Sequence, residues 1–332
     1  MARTLTVHGA ALPLARPFRI SRGVKTCADV VVVSIVEGDM QGRGEGVPYA
    51  RYGETVESVS DQIAAWRGVI EGGAGRSELL AGMPAGAARN ALDCALWDLE
   101  MQLAGTSVRS TLGLDNERRI ATAMTVGLDT PERMGDAARL LADVPLLKVK
   151  VDASDPERQL EQVRQAAPDP RMIVDPNESW TMADIERLED LLVQLQVDLL
   201  EQPLPAGADA GLRGYRGPVP IAADEALHTA DDLAELPDGY GVANIKLDKA
   251  GGLTGALHLA DAAEARGMTL MVGCMISSSL SIAPALALAG RCDFVDLDGP
   301  LWLAEDREGG VVGEGGYLVA PQPGFWGGLP AS

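Results

Sequence analysis

Positive charge is in short supply in this chain: 28 lysines and arginines face 48 aspartates and glutamates, for a formal net charge of −20. So acidic a protein lacks the basic patches that would hold nucleic acid or an anionic membrane. Solubility is the plainer use of the surplus. Long hydrophobic runs are missing as well. The longest candidates, Val30 to Val36 and Pro284 to Ala289 with its flanks, fall far short of the roughly 18 residues needed to span a bilayer. Met1 to His8 contain no apolar core of the secretory kind, so the expected location is the cytoplasm. Cysteine is sparse too. Cys27, Cys94, Cys274 and Cys292 show no metal-binding spacing and read as reduced and mostly buried. These absences leave a small molecule as the expected partner, with a homo-oligomer open.

What is present is an ordinary globular composition, 46% hydrophobic and 23% charged over 332 residues. That length suits one large barrel core and a smaller domain. The larger part repeats. Apolar runs end in charged residues at Lys148-Val149-Lys150, Asp175, Glu201, Asp224-Glu225 and Lys246, at intervals of 22 to 26 residues. A strand, a loop, a helix and a return loop need about that many, which predicts a parallel sheet with helical crossovers. A strand at Ile120 to Val126 precedes these, and Thr269 to Met275 and Cys292 to Pro300 supply a seventh and an eighth. Helices are expected at Met182 to Gln194, Asp231 to Leu236, Thr254 to Arg266 and Leu280 to Ala289, with helix starts at Thr130-Pro131 and Ser154-Asp155-Pro156.

Before the repeat, strands at Thr4 to Ala10, Ala28 to Val36 and Gly42 to Gly46 give way to helical patterning at Thr55 to Ile70 and Ala85 to Leu103. Strands then helices, without alternation, describe a separate α+β unit. Between the first two strands, Arg16 to Gly23 is too broken for an element and reads as a mobile flap carrying Arg19 and Arg22. The expected fold class is α/β, a (β/α)7–8 barrel with an N-terminal α+β domain. The expected divisions are residues 1–115 for that domain, 116–302 for the barrel, and 303–332 for a tail packing back on the first domain. The boundary is placed at the Asp115-Asn116 turn.

If the units close into a barrel, their strand ends share one mouth, where barrel active sites lie. Asp175, Glu201 and Asp224 would repel one another there unless they shared a cation. Magnesium, a hard ion served by a few carboxylates, fits, with Asn177 and Glu225 orienting the ligands. Each acid alone could instead cap a helix. Lys150 and Lys246, on the second and sixth of eight strands, lie on opposite sides. Other ammonium groups and a divalent cation within reach would lower their pKa and make them bases near neutral pH. A carbon held between them would lose a proton to one and regain it from the other, which inverts a stereocentre. Lys148 is a further cationic donor to the developing negative charge.

The Lys148-Val149-Lys150 pair, Asp175-Pro176-Asn177-Glu178-Ser179-Trp180, Glu201-Gln202-Pro203, Asp224-Glu225 and Asn244 to Gly252 resemble the muconate-lactonising subgroup of the enolase superfamily. Asp296-Leu297-Asp298-Gly299-Pro300 is similar to the dipeptide epimerases within it, as are Pro48 to Glu54 and Gly86 to Leu99 in the first domain. The resemblance implies an isomerase with a first domain that caps the barrel. Its metal would be Mg2+, on Asp175, Glu201 and Asp224, with Lys150 and Lys246 as acid and base. Asp296 and Asp298 would hold a dipeptide's free ammonium group, and Arg22, or else Arg19, its distal carboxylate. Thr125, Cys274 and Met275 fall at strand ends of the same pocket. The chain departs from many relatives at Ile276-Ser277-Ser278, where they carry a glutamate, so the exact dipeptide is left open. An N-acylamino acid racemase or o-succinylbenzoate synthase-type enzyme would share the lysines and metal but leave Asp296 and Asp298 unpaired. A Schiff-base aldolase gives no role to a second lysine, and a non-catalytic barrel would exchange no proton.

Overall fold

In the computed structural model, which describes residues 2–114 and 119–328, eight parallel strands form one nearly closed barrel. The Asp115-Asn116 turn, and with it the 115/116 boundary, lies outside the described residues. The strands are Met124–Val126, Leu146–Lys150, Arg171–Asp175, Leu199–Glu201, Ile221–Ala223, Tyr240–Lys246, Thr269–Gly273 and Phe294–Asp296, paired in that order. The seam is bridged where Ala123 N donates to Val295 O at 2.7 Å and Leu297 N to Thr122 Oγ1 at 2.9 Å.

Strand periodicity positions the site. One side chain from each strand region, Ala123, Leu146, Ile173, Leu199, Ala222, Val242, Met271 and Phe294, forms a single apolar cluster filling the barrel. Side chains repeat every two residues along a strand. The next inward layer is therefore Thr125, Lys148, Asp175, Glu201, Asp224, Asn244, Gly273 and Asp296. An oily floor thus carries a polar layer directly above it.

Some expectations give way here. Ile120 to Val126 is two strands rather than one, since Arg119–Ala121 pairs with Tyr317–Val319 of the tail. The helix expected at Asp231 to Leu236 is a short 3₁₀ segment, Ala230–Ala234. Residues 202–220 hold only the 3₁₀ turn Ala210–Leu212. Pro203, Pro205, Gly207, Gly211, Gly214, Gly217 and Pro218 in that stretch deny the backbone a regular helix. Nor is Arg16 to Gly23 an unstructured flap. The strands Arg3–Ile20 and Gly23–Glu37 form one long hairpin, irregular between Pro13 and Phe18, with Ser21 and Arg22 at its tip.

The third strand of that sheet, Met40–Gly46, places Gly42, Gly44 and Gly46 against the helix Ala87–Ala104. A Cβ on Gly44 would stand 2.1 Å from Ala91 O and 2.8 Å from Ala95 N. Alternate glycines are what let strand and helix touch backbone to backbone. Gly44→Ala is therefore expected to cost about 2–3 kcal/mol through overpacking; a urea unfolding midpoint equal to that of the parent would contradict this contact. Between the glycines, fully buried Glu45 accepts from Ser278 N at 2.8 Å and pairs with Arg307 at 2.8 Å, joining this sheet to the seventh barrel loop and the tail. The tail returns to the first domain: Trp326 Nε1 donates to Arg43 O at 3.1 Å and Cys94 O at 3.2 Å, and Gly327 N to Asp98 at 2.8 Å.

Candidate active site

A cavity of about 520 Å3 lies between the barrel mouth and the hairpin tip, lined from below by Lys148, Lys150, Asp224, Lys246 and Asp296 and from above by Phe18, Arg22 and Lys25. Thr125, Asn177, Glu225, Cys274, Met275 and Asp298 also line it. Asp175 and Glu201 lie beneath, fully buried. Arg19 does not reach it, for its strand position turns the side chain out to solvent.

The carboxylates and lysines are interleaved. Lys148 Nζ stands 2.7 Å from Glu201, 2.7 Å from Asp296 and 3.2 Å from Asp175. Lys150 reaches Asp175 at 2.5 Å, and Lys246 reaches Asp224 at 2.6 Å. Gly273 makes room for Lys246, since a Cβ there would meet its Cε at 3.0 Å. Lys249 pairs with the other Asp224 oxygen at 2.7 Å and donates to the backbone carbonyls of Asp224, Leu227 and Asn244, fixing the turn after the sixth strand to the fifth.

Among the protein's own groups it is the carboxylates that set the pKa values of Lys148 and Lys246. Burial works against the charge on Lys148 and Lys246. Asp296, Glu201 and Asp175 around Lys148, and Asp224 beside Lys246, outweigh it and hold both pKa values above the ordinary lysine range. Each ammonium faces carboxylates rather than other ammoniums. Glu201 is pushed up to about 8 by burial and by Asp175, while Asp224 is held well below the carboxylate range, against its burial, by Lys246 and Lys249.

Among the described residues no three carboxylate, imidazole or thiol groups are assembled to hold an ion as they stand, because lysines take up the acid oxygens. The donor set nonetheless fits a hard cation. Buried Glu201 Oε2, Asp224 Oδ1, Asn177 Oδ1 and Glu225 Oε2 receive no aligned hydrogen bond. The first two have a lysine within ion-pair distance but out of line. A buried oxygen left so is costly unless something else binds it.

Asn177 orients Asp175 through its backbone N–H, at 2.9 Å, from a left-handed φ of 46°. Glu225 instead meets the cap: Arg22 pairs with it at 2.7 Å and with Glu178 at 3.0 Å, and donates to Tyr49 Oη at 3.1 Å. Arg51 grips Glu178 with two bonds, at 3.0 and 2.9 Å. Glu178, Lys25 and Lys249 have no task that the sequence alone assigns, beyond their charge, and Arg51 lies in the Pro48 to Glu54 loop, whose role the sequence leaves open. Buried Ser277 points its hydroxyl at Met275 O, 3.2 Å away, and Ile276 rather than Ser277 lines the cavity.

Residues 2–113 match the mandelate racemase / muconate lactonizing enzyme N-terminal domain, and residues 133–325 the enolase C-terminal domain-like family. The chain belongs to the enolase superfamily. This superfamily member is 46% identical to the L-Ala-D/L-Glu epimerase of Escherichia coli (strain K12), over 92% of its own length and 96% of the relative's. It is 42% identical to an N-acetyl-D-glutamate racemase of a Pseudoalteromonas species, over 90% and 95%. Its fold matches, with TM-score 0.95 and 46% identity over 98% and 100% of the chains, an Agrobacterium tumefaciens enolase family member with homology to dipeptide epimerases, solved with sodium and L-Ala-L-Glu. It also matches the dipeptide epimerase of Enterococcus faecalis V583, complexed with Mg and L-Leu-L-Tyr, with TM-score 0.90 and 28% identity over 99% of both. The enolase-superfamily barrel with its separate N-terminal domain, the resemblance to dipeptide epimerases and the reading as an isomerase are borne out. No described helix of this superfamily member is long and apolar enough to cross a membrane.

Proposed function

We propose that this enzyme is a magnesium-dependent L-Ala-D/L-Glu epimerase that inverts the α-carbon of the C-terminal residue by two-base 1,1-proton transfer. The observation that carries the reading is the placement of Lys150 and Lys246 on the second and sixth of eight strands, facing one cavity from opposite sides. Asp175, Glu201 and Asp224 would hold Mg2+, whose charge would make the α-proton of a bound carboxylate acidic enough to remove. Lys150 takes or gives that proton on one face and Lys246 on the other, while Lys148 faces the negative charge of the enediolate.

The cavity presents charge of both signs. Asp296 and Asp298 offer carboxylates to a free ammonium group. The cap hairpin adds Arg22 and Lys25 to the same cavity, for a distal carboxylate. Lys25 has no carboxylate partner among the described residues and lies 4.7 Å from the Tyr49 ring centre. A dipeptide of alanine and glutamate carries charges of both signs to match, and its source would be cell-wall peptide recycled in the cytoplasm. The Pseudoalteromonas relative favours N-acetylglutamate as the second reading. The test is α-proton exchange in heavy water across a panel of dipeptides and N-acetyl-L- and -D-glutamate. L-Ala-D/L-Glu is expected to exchange fastest. Faster exchange of N-acetylglutamate would transfer the assignment to the racemase, and no exchange from any compound would remove the enzyme reading.

A further inference from the structure

Asp298 reaches its place by an indirect route. It follows the eighth strand and opens the 3₁₀ turn Gly299–Trp302. Its Oδ2 accepts two hydrogen bonds, from Trp302 Nε1 at 3.1 Å and from Thr125 N at 3.1 Å. Its Oδ1 takes no hydrogen bond among the described residues, and Asp298 lines the cavity. Trp302 is buried, and its ring is held from the first domain. Phe18 meets it edge-on at 4.6 Å between centres, and the Arg16 guanidinium lies over it at 4.4 Å. Phe18 pairs with Lys25 across the hairpin, and both line the same cavity. The indole thus touches both the cap hairpin and the carboxylate expected to receive the substrate amine.

We infer that Trp302 is a positioning residue that sets specificity for a free N-terminal ammonium group, by aiming the Asp298 carboxylate and coupling it to the seated cap hairpin. The inference rests on the reading of Asp298 as the ammonium-binding group. An N–H donor on one carboxylate oxygen turns the other toward the ligand and favours the charged form, which is what an ammonium ion needs. Burial and Asp296 push Asp298 up to about 6, and the Trp302 and Thr125 bonds oppose that rise.

Trp302→Phe keeps a ring against Phe18 and removes the donor. The expected result is a KM for L-Ala-L-Glu raised about tenfold with kcat within threefold, the size of one charge-assisted hydrogen bond. Competitive inhibition by N-propionyl-L-glutamate, the same skeleton without the ammonium group, is expected to stay within twofold of the parent value. An unchanged KM, or equal weakening of both ligands, overturns the inference. Should the phenylalanine variant fold poorly, benzothienylalanine at position 302 replaces the N–H with sulfur in an isosteric ring and gives the same readout. Asp298→Asn separates the two layers of the argument. If it keeps the parent preference for dipeptide over propionyl compound, the ammonium reading itself fails. If it loses the preference while the Trp302 variants keep it, only the role of Trp302 falls.

Discussion

Lys246→Ala is expected to stop α-proton exchange from one epimer of the substrate while sparing it in the other, and Lys150→Ala to do the reverse. Epimerisation should fall by about 10³-fold or more in both, since each direction needs both groups. The geometry behind this is the four-strand separation of the two lysines around an eight-stranded ring. The variants should also fold. Asp175 keeps Lys148 at 3.2 Å when Lys150 is removed, and Asp224 keeps Lys249 at 2.7 Å when Lys246 is removed. Neither deletion leaves a buried carboxylate without an ammonium neighbour. Measuring deuterium incorporation from each epimer separately decides the matter. Equal loss from both epimers in either variant, with the melting temperature unchanged, would refute the two-base assignment.

Lys148→Met should behave differently, because Lys148 alone among the lysines touches three acids. Without it, Glu201 and Asp296 have no ammonium partner among the described residues, and both are buried. Removing one partner of a buried ion pair costs about 3–5 kcal/mol. In chelator the variant should melt at least about 5 °C below the parent. Magnesium should recover more of that loss than it adds to the parent, because a cation on the same acids replaces the missing charge. Activity should remain down by about 10²- to 10³-fold even in excess magnesium, the usual loss of one electrostatic donor. A variant that melts with the parent in chelator would mean that Lys148 does not carry the charge balance of the site.

Much of this was legible because strand chemistry is local. Lys148, Lys150, Asp175, Glu201, Asp224, Lys246 and Asp296 are found by counting two residues at a time along apolar runs. The same period that buries Leu146 and Ile173 in the floor lifts Lys148 and Asp175 into the layer above it. Where the structure departs from the pattern along the chain, the causes are non-local. Arg16 to Gly23 was too irregular alone to be called a strand, yet across the hairpin Phe18, Arg19 and Ile20 find Lys25, Val24 and Gly23. Ile120 to Val126 looked continuous, but its first part pairs with Tyr317–Val319, some two hundred residues away. No spacing rule connects Arg51 to Glu178, or Trp302 to Phe18.

The order of apolar and charged residues along each strand thus determined the barrel, its polar mouth and the identity of the lysines and acids, since side-chain alternation is a property of the backbone. Only the tertiary structure decided which ammonium faces which carboxylate. It seated Arg22 between Glu178 and Glu225 and brought Lys25 and Phe18 over the mouth. Those pairings depend on distance and on burial away from water, which the folded chain creates between residues remote in sequence.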